Sequence, residues 1–347
     1  MGEKFIPCVK LRGFMRKVLL KSGVRKDVAE YVVEGLIQTS LRGVDSHGIR
    51  LLPHYVASVK AGRLNPAPKY GFRKTSASTG LLDADHTFGH AAGMEAVKKA
   101  IALAEGSGTG HVAVLNSSHF GAAAYYTLEI AKRDMIGLSF THADALMRTH
   151  AGKRPFLGTN PISFAAPCEG ESPFCLDMAT TVTNFNKIKM LRQANKKAAC
   201  GVGADAQGIE TTDPNEITML LPIGSYKGFG LSLMIEVLCS LLTGMPFGRD
   251  ISSMFAAPLT QKRYLGHFIM AIRIDCFQEP GIFKKRMASL MRQLRNEPAM
   301  QAGMPVQVAG DPEKRTAGQR LKSGIPLKKE EYFAFKALSA EYKVILD

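Results

Sequence analysis

The 347-residue sequence predicts an α/β fold, and three observations carry that prediction. Between residues 79 and 141, stretches that alternate apolar and polar residues take turns with stretches of helical period. Hydrophobic residues make up 46% of the chain and charged residues 22%, a balance that buries a large core. The length suits about two units, at roughly 150 residues each.

The elements follow in order. "KLRGFMRKVLLKSG" has apolar residues at helical spacing and stops at Ser22-Gly23. "RKDVAEYVVEGLIQTSLRG" lines up Val28, Tyr31, Val32, Leu36 and Thr39 as a second helix, and "IRLLPHYVASVKAG" predicts a third. "RLNPAPKYG" and "KTSASTG" are rich in turn residues and mark a boundary near residue 75. "TGLLDAD" then reads as a strand, "HAAGMEAVKKAIALAEGSG" as a helix and "HVAVLN" as a strand. Gly121 to Arg133 reads as a helix and "MIGLSFTHA" as a strand. "NPISFAAP" and "PFCLDMAT" add two short strands, and a polar connector is expected after residue 180. "GFGLSLMIEVLCSLLTGM" is the most apolar stretch. Glu236 interrupts it and glycines bracket it, so it reads as a buried helix rather than a membrane span. "HFIMAIRIDCF" alternates as a strand, and "GIFKKRMASLMRQLRN" is an amphipathic helix. "AGDPEKRTAGQRLKSGIPL" reads as a Gly/Pro-rich loop, and "KEEYFAFKALSAEY" as a closing helix.

The net charge of +15 raises nucleic-acid binding as one reading. The basic residues are spread out, however, and no recognition motif accompanies them, so a potential that draws in small anions is the expected role. Cys8, Cys168, Cys175, Cys200, Cys239 and Cys276 include no CxxC pair. With no signal peptide, they are expected to be reduced thiols in a cytoplasmic protein. His47, His54 and His119 lack the spacing of a metal site, so no metal is expected. Nor does the chain carry a dinucleotide fingerprint. "GSGTGH" follows a helix and precedes a strand, the reverse of the required order, and no GxxxxGK[ST] occurs.

Two polar clusters remain. In "RGVDSHGIR", Ser46 and His47 adjoin. A histidine trades protons near neutrality, and a neighbouring hydroxyl orients it or relays the proton. The plain alternative is a turn in which Asp45 and Ser46 cap the next helix. In "SSHFGAAAYY", His119 and Gly121 stand where a strand hands over to a helix, whose N-terminus suits an anion such as a pyrophosphate. Here the alternative is a tightly packed helix start.

Together with "MIGLSFT", "LGTNPISFAAP", "CLDMAT", "GIETTDP" and "LLPIGSYKGFGLSLMIEVL", taken in order, these stretches resemble the type-2 malate/L-lactate dehydrogenase family. The family is also called the malate/ureidoglycolate/sulfolactate dehydrogenase family, and the resemblance covers nearly the whole chain. It implies a fold that is not Rossmann: a largely antiparallel mixed sheet holding NAD or NADP, on residues 76–309. A helical domain from both chain ends, 1–75 completed by 310–347, would accompany it.

The resemblance further implies a homodimer that transfers hydride between the cofactor and a small anionic 2-hydroxy acid. In one branch the substrate is instead a cyclic imino acid. His47 matches the proton donor or acceptor and Ser46 its assistant, while some members assign the acid–base role to the counterpart of His119. The cofactor would border His119, Phe120, Gly121, Ala122 and Ala123. It would also border Asp177, Met178 and Ala179, Lys227, and the late loop with Gly310 and Glu313. Thr159 matches a substrate contact.

The chain also departs from the pattern. The family's carboxylate-clamping Arg falls on Leu51, with Arg50 one residue early. "AACGVGADAQG" replaces the usual proline-tryptophan stretch, so residues 187–203 have diverged. A relative that keeps the cofactor but has lost turnover is therefore a third reading, beside the oxidoreductase and the nucleic-acid binder.

Overall fold

The computed structural model describes residues 3–346. Strand β1 (Lys4–Ile6) leads through Pro7 into α1 (Cys8–Lys21), whose Leu11, Phe14, Met15, Val18 and Leu19 form one buried stripe. α2 (Lys26–Leu41) packs against it with Val28, Ala29, Val32, Val33, Leu36 and Ile37. Two 3-10 turns, Asp45–His47 and Ile49–Leu51, carry the chain into α3 (Leu52–Lys60). Pro53 sits in the first turn of α3, where its missing N–H costs nothing.

The turn-rich stretch before residue 75 holds a strand that was not expected, β2 (Gly71–Lys74), and the predicted alternation follows it: β3 (Thr79–Asp83), α4 (Gly89–Ser107), β4 (Thr109–Ser117), α5 (Ala124–Ala131) and β5 (Met135–Thr141). Then come β6 (Met147–Arg148), β7 (Pro155–Leu157), β8 (Ile162–Ala166), β9 (Phe174–Met178), α6 (Phe185–Gln193), β10 (Gly203–Ala204) and β11 (Met219–Leu220). The chain continues through α7 (Tyr226–Cys239), β12 (Leu265–Arg273), α8 (Pro280–Arg295), α9 (Asp311–Ser323), β13 (Ile325–Leu327) and α10 (Lys329–Tyr342).

The main sheet has the order β2-β3-β4-β12-β5-β8-β9. Only its β3–β4 pair is parallel, so this is not a doubly wound parallel sheet. Alternation along β12 sorts the two faces. Ile269 and Ala271 join the core under α4 and α5, while Phe268 and Met270 turn to Ile235 and Cys239 of α7. A separate core gathers α1, α2 and α3 with Ile325, Leu327, Phe335 and Leu338 from the other end of the chain. β1 pairs with β13 beside it.

Four expectations need correction. The stretch read as a loop after Gly310 is α9 and β13. Asp311 and Glu313 in the first turn of α9 and Arg320 and Lys322 in its last complement the helix dipole, in place of a buried stripe. The connector after residue 180 folds as α6 with β10 and β11, around Ile188, Ala198, Val202, Ile217 and Leu220. α7 is buried on one face only; Leu233, Met234 and Val237 are exposed, as are Leu241 and Leu242 just beyond it. Finally, α5 starts at Ala124, so His119 and Gly121 lie in the turn before the helix.

Candidate active site

The sheet brings the ends of distant strands together. The end of β4 and the start of β12 adjoin through Ser117 and Leu265, and His267 pairs with Thr141 at the end of β5. His267 is fully buried and bonds Ser117 Oγ through Nε2 (2.7 Å) and Thr141 Oγ1 through Nδ1 (2.8 Å). This cross-strand tie fixes the point where the chain leaves β4 for Ser118 and His119. Phe120 then packs inward, its ring 3.9 Å from that of Tyr126 and 4.2 Å from that of His267. Its side chain is therefore core, and its carbonyl accepts from the Tyr126 hydroxyl.

His47 and His119 meet here. Their rings stack with centroids 5.5 Å apart and planes 18° from parallel. Each is held at Nδ1 by a hydroxyl: Ser46 Oγ at 2.8 Å for His47, and Tyr55 Oη of α3 at 2.7 Å for His119. That leaves both Nε2 atoms for other partners. Burial, reinforced by Arg50, pushes His47 down to about 4. Burial and the neighbouring His47, His90 and Arg263 push His119 well below the ordinary histidine value. Both rings are neutral at pH 7. Ser46–His47 occupies a 3-10 turn, as the plain alternative supposed. Asp45, however, caps no helix there but pairs with Arg320 of α9 (2.6 and 2.9 Å).

Behind the pair lies His90, 1% exposed, wedged between two glycines. A Cβ on Gly35 would collide with its Cδ2, and a Cβ on Gly121 with its Nε2. Gly89 likewise lets the start of α4 press on the backbone of Ser118 and His119. Sequence reading missed Tyr55, His90 and Gly89. The local signal was faint, because Tyr55 looks like one more core position of a helix, and "FGH" looks like a helix start.

A second group gathers around a cleft of about 300 Å³ lined by Arg42, Cys175, Asp177, Gln307, Gly310 and Glu313, among others. Asp177, Gly310 and Glu313 were expected together; Arg42 was not. Asp177 Oδ2 accepts the Ala124 N–H at 3.0 Å, so this carboxylate already occupies part of the α5 terminus that was expected to be free for an anion. The Asp177 side chain opens into the cleft, yet the protein walls displace bulk water and push its carboxyl up to about 6. The Ala124 N–H and Arg42 pull against that shift. Gly310, with φ 95°, holds a left-handed turn against the Cys175 backbone.

The residues present fit a nucleotide. Arg42 offers a guanidinium for phosphate, Gly310 lets the backbone approach, and Gly121, Ala122 and Ala123 line a turn with little side chain. Met178 and Ala179 continue from Asp177 and are half-buried. Lys227 is exposed at the start of α7. The Thr159 carbonyl accepts from Thr180 N–H (2.9 Å) and Oγ1 (3.1 Å). Arg50 is exposed, and Leu51 is buried.

The malate/L-lactate dehydrogenase family profile matches residues 6–336. Malate dehydrogenase of Pyrococcus abyssi is 35% identical over 335 residues, covering 94% of this chain and 91% of the relative. Ureidoglycolate dehydrogenase (NAD(+)) of Escherichia coli is 32% identical over 284 residues, covering 82% and 81%. The crystal structure of malate dehydrogenase from Entamoeba histolytica superposes with a TM-score of 0.93 at 31% identity, covering 99% of each chain. This chain belongs to the malate/L-lactate dehydrogenase family and is an oxidoreductase of the kind that acts on CH–OH groups.

Proposed function

We propose that the protein interconverts a small 2-hydroxy acid of the malate or lactate kind and its 2-oxo acid, with NAD or NADP. The observation that carries this reading is the stacked His47–His119 pair, each ring fixed by a hydroxyl and kept neutral by burial. When bound, the nicotinamide cofactor accepts or delivers the hydride. Arg42, Asp177, Gly310 and Glu313 hold it, together with the Gly121–Ala123 turn. His47 takes the hydroxyl proton at Nε2 during oxidation and returns it during reduction, while Ser46 keeps the ring in place. His119, anchored by Tyr55, shapes the wall shared by cofactor and substrate.

A second copy of the chain covers the apolar face made by Leu233, Met234, Val237, Leu241 and Leu242, giving a homodimer.

A panel of 2-oxo acids and cyclic imines, offered with NADH and NADPH and followed by nicotinamide absorbance, tests the reading. Turnover of 2-oxo acids is expected. Turnover of cyclic imines alone would replace this reading with an imino acid reductase. Cofactor binding without any turnover would mark a relative that has lost its chemistry.

A further inference from the structure

Arg263 lies two residues before β12 and is 3% exposed. Its Nη2 donates to Asp144 Oδ1 at 2.8 Å. Its Nε and Nη1 are buried and meet no hydrogen-bond partner among the described residues. A guanidinium stays charged at any working pH, and unmet donors inside a protein are costly.

The surrounding charges do not balance. Arg63, 2% exposed, also faces Asp144, but its nitrogens are engaged by the carbonyls of Met254, Ala257, Pro258 and Gln261. Two guanidiniums therefore share one carboxylate, and one positive charge is left over. The other groups facing Arg263 supply no anion. His54 and His119 are kept neutral by burial and by the cations nearby, and burial drives the Tyr55 hydroxyl up, further from ionisation.

The position of this excess matters. His119 follows the end of β4, Asp144 follows the end of β5, and Arg263 precedes the antiparallel β12 that runs between them. The sheet therefore delivers all three to the same end of its central strands. Arg50 is the cation that the sequence offered for a substrate carboxylate. Its charge reaches His47, but its side chain is exposed to water, and Leu51, at the family's clamping position, is apolar.

We propose that Arg263 binds the carboxylate of the substrate beside the His47–His119 pair, with Asp144 as the residue that positions its guanidinium. The proposal rests on the 2-hydroxy acid reading above. Arg263 takes over the clamp from the motif position filled by Leu51, and the substrate's negative charge balances the second buried guanidinium.

The test uses oxamate, an unreactive 2-oxo acid analogue, titrated calorimetrically into the NADH-saturated protein. NADH affinity and thermal unfolding are measured alongside. Arg263→Met is expected to raise the oxamate Kd by about 100-fold and Arg263→Lys by about tenfold, because an ammonium cannot reproduce the planar donors. NADH affinity stays within about twofold, as for contacts that do not touch the cofactor. Asp144→Asn raises the oxamate Kd, and the KM of any 2-oxo acid turned over, more than it lowers kcat.

If Arg263→Met unfolds the protein, Arg263→Lys decides. A folded Arg263→Lys with wild-type oxamate affinity overturns the proposal, as does a loss confined to NADH. Wild-type protein that binds no oxamate overturns it too. Protein that binds oxamate through Arg263 yet reduces no 2-oxo acid supports the anion site and overturns the functional reading alone.

Discussion

Gly121 lies directly against His90. The glycine sits at φ 74°, and a side chain there would run into the histidine's Nε2. The turn carrying His119 and the start of α4 are thus fitted to each other through one missing Cβ. Gly121→Ala adds left-handed strain to this clash. It is expected to cost about 2 kcal/mol or more of stability, read from the urea midpoint. His90→Ala in the same chain should recover part of that loss, and strict additivity in the double-mutant cycle would show that the contact carries none of it.

Replacing His47 by Ala is expected to lower kcat by about 10²- to 10⁴-fold, the usual range for a lost acid–base group. His119→Ala and Tyr55→Phe should act mainly on the cofactor KM, because Tyr55 anchors the ring proposed to shape the cofactor wall. Ser46→Ala falls between. If His119→Ala alone removes the titrating limb of the pH–rate profile, the two histidines exchange roles.

The depressed His47 value gives that profile a sign. A base at about 4 in the folded protein stays neutral down to acid pH. kcat/KM for oxidation is therefore expected to be flat from about pH 5.5 to 8, without the inflection near 6.5 of a free imidazole. Reduction needs the protonated ring, so its kcat/KM should fall about tenfold per pH unit over the same span. The same shift makes the neutral imidazole part of folded-state stability. That contribution is full above about 6.5 and is lost as pH falls toward 4.

Asp177 works in the opposite sense. Its carboxyl titrates near 3.8 when free and at about 6 in the folded protein. Its contribution to stability is present below about 4 and disappears as pH rises through 6. Asp177→Asn keeps an oxygen for the Ala124 N–H and removes the charge. The melting temperature of the variant should lose the part of its decline between pH 4 and 6 that Asp177 causes, while cofactor affinity drops. An unchanged slope would mean that bulk water screens this carboxylate fully.

The wall of the Asp177 cleft is braced from outside. Arg295 bonds both oxygens of Glu171 (2.8 and 2.9 Å) and both of Asp311 (2.7 and 2.9 Å). Asp311 in turn accepts the Val308 N–H at 2.9 Å. Arg295 pulls the Glu171 carboxyl down to about 2. Arg295→Ala should raise the cofactor KM by up to roughly tenfold with kcat nearly unchanged, since networks at this exposure contribute about 1 kcal/mol. An equal loss in kcat would place the brace in the chemistry instead.

What the sequence disclosed was local. Periods of 3.6 and 2 exposed α1 through α5 and the strands β3 and β4, because those elements bury a face, whereas β2 has no buried residue and was read as turn-rich chain. α9 escaped notice because it buries no stripe, although "GDPEK" holds a proline after an acidic residue at a helix start, a readable cue. "DSHG" and "SSHFG" were legible as polar clusters. Their union was not, because the hydrogen bond from Tyr55 to His119 and the ion pair from Arg263 to Asp144 join segments far apart in the chain. The exposed side of α7 was invisible for the opposite reason: apolar residues all round a helix read as burial, whichever surface provides it.

The β1–β13 pairing has a consequence for how the molecule is made. Ile6 packs with Ile325, Leu327 and Phe335, so the core around α1 to α3 lacks part of its own wall until nearly the whole chain has left the ribosome. The seven-stranded sheet is complete once β12 has emerged. Synthesis therefore yields a folded sheet carrying an unfinished helical layer, with the part of the α1 stripe that meets α10 uncovered until that helix arrives. A chain cut after α8 should display a protease-resistant sheet and protease-sensitive N-terminal helices, and the chain that includes β13 and α10 should protect both.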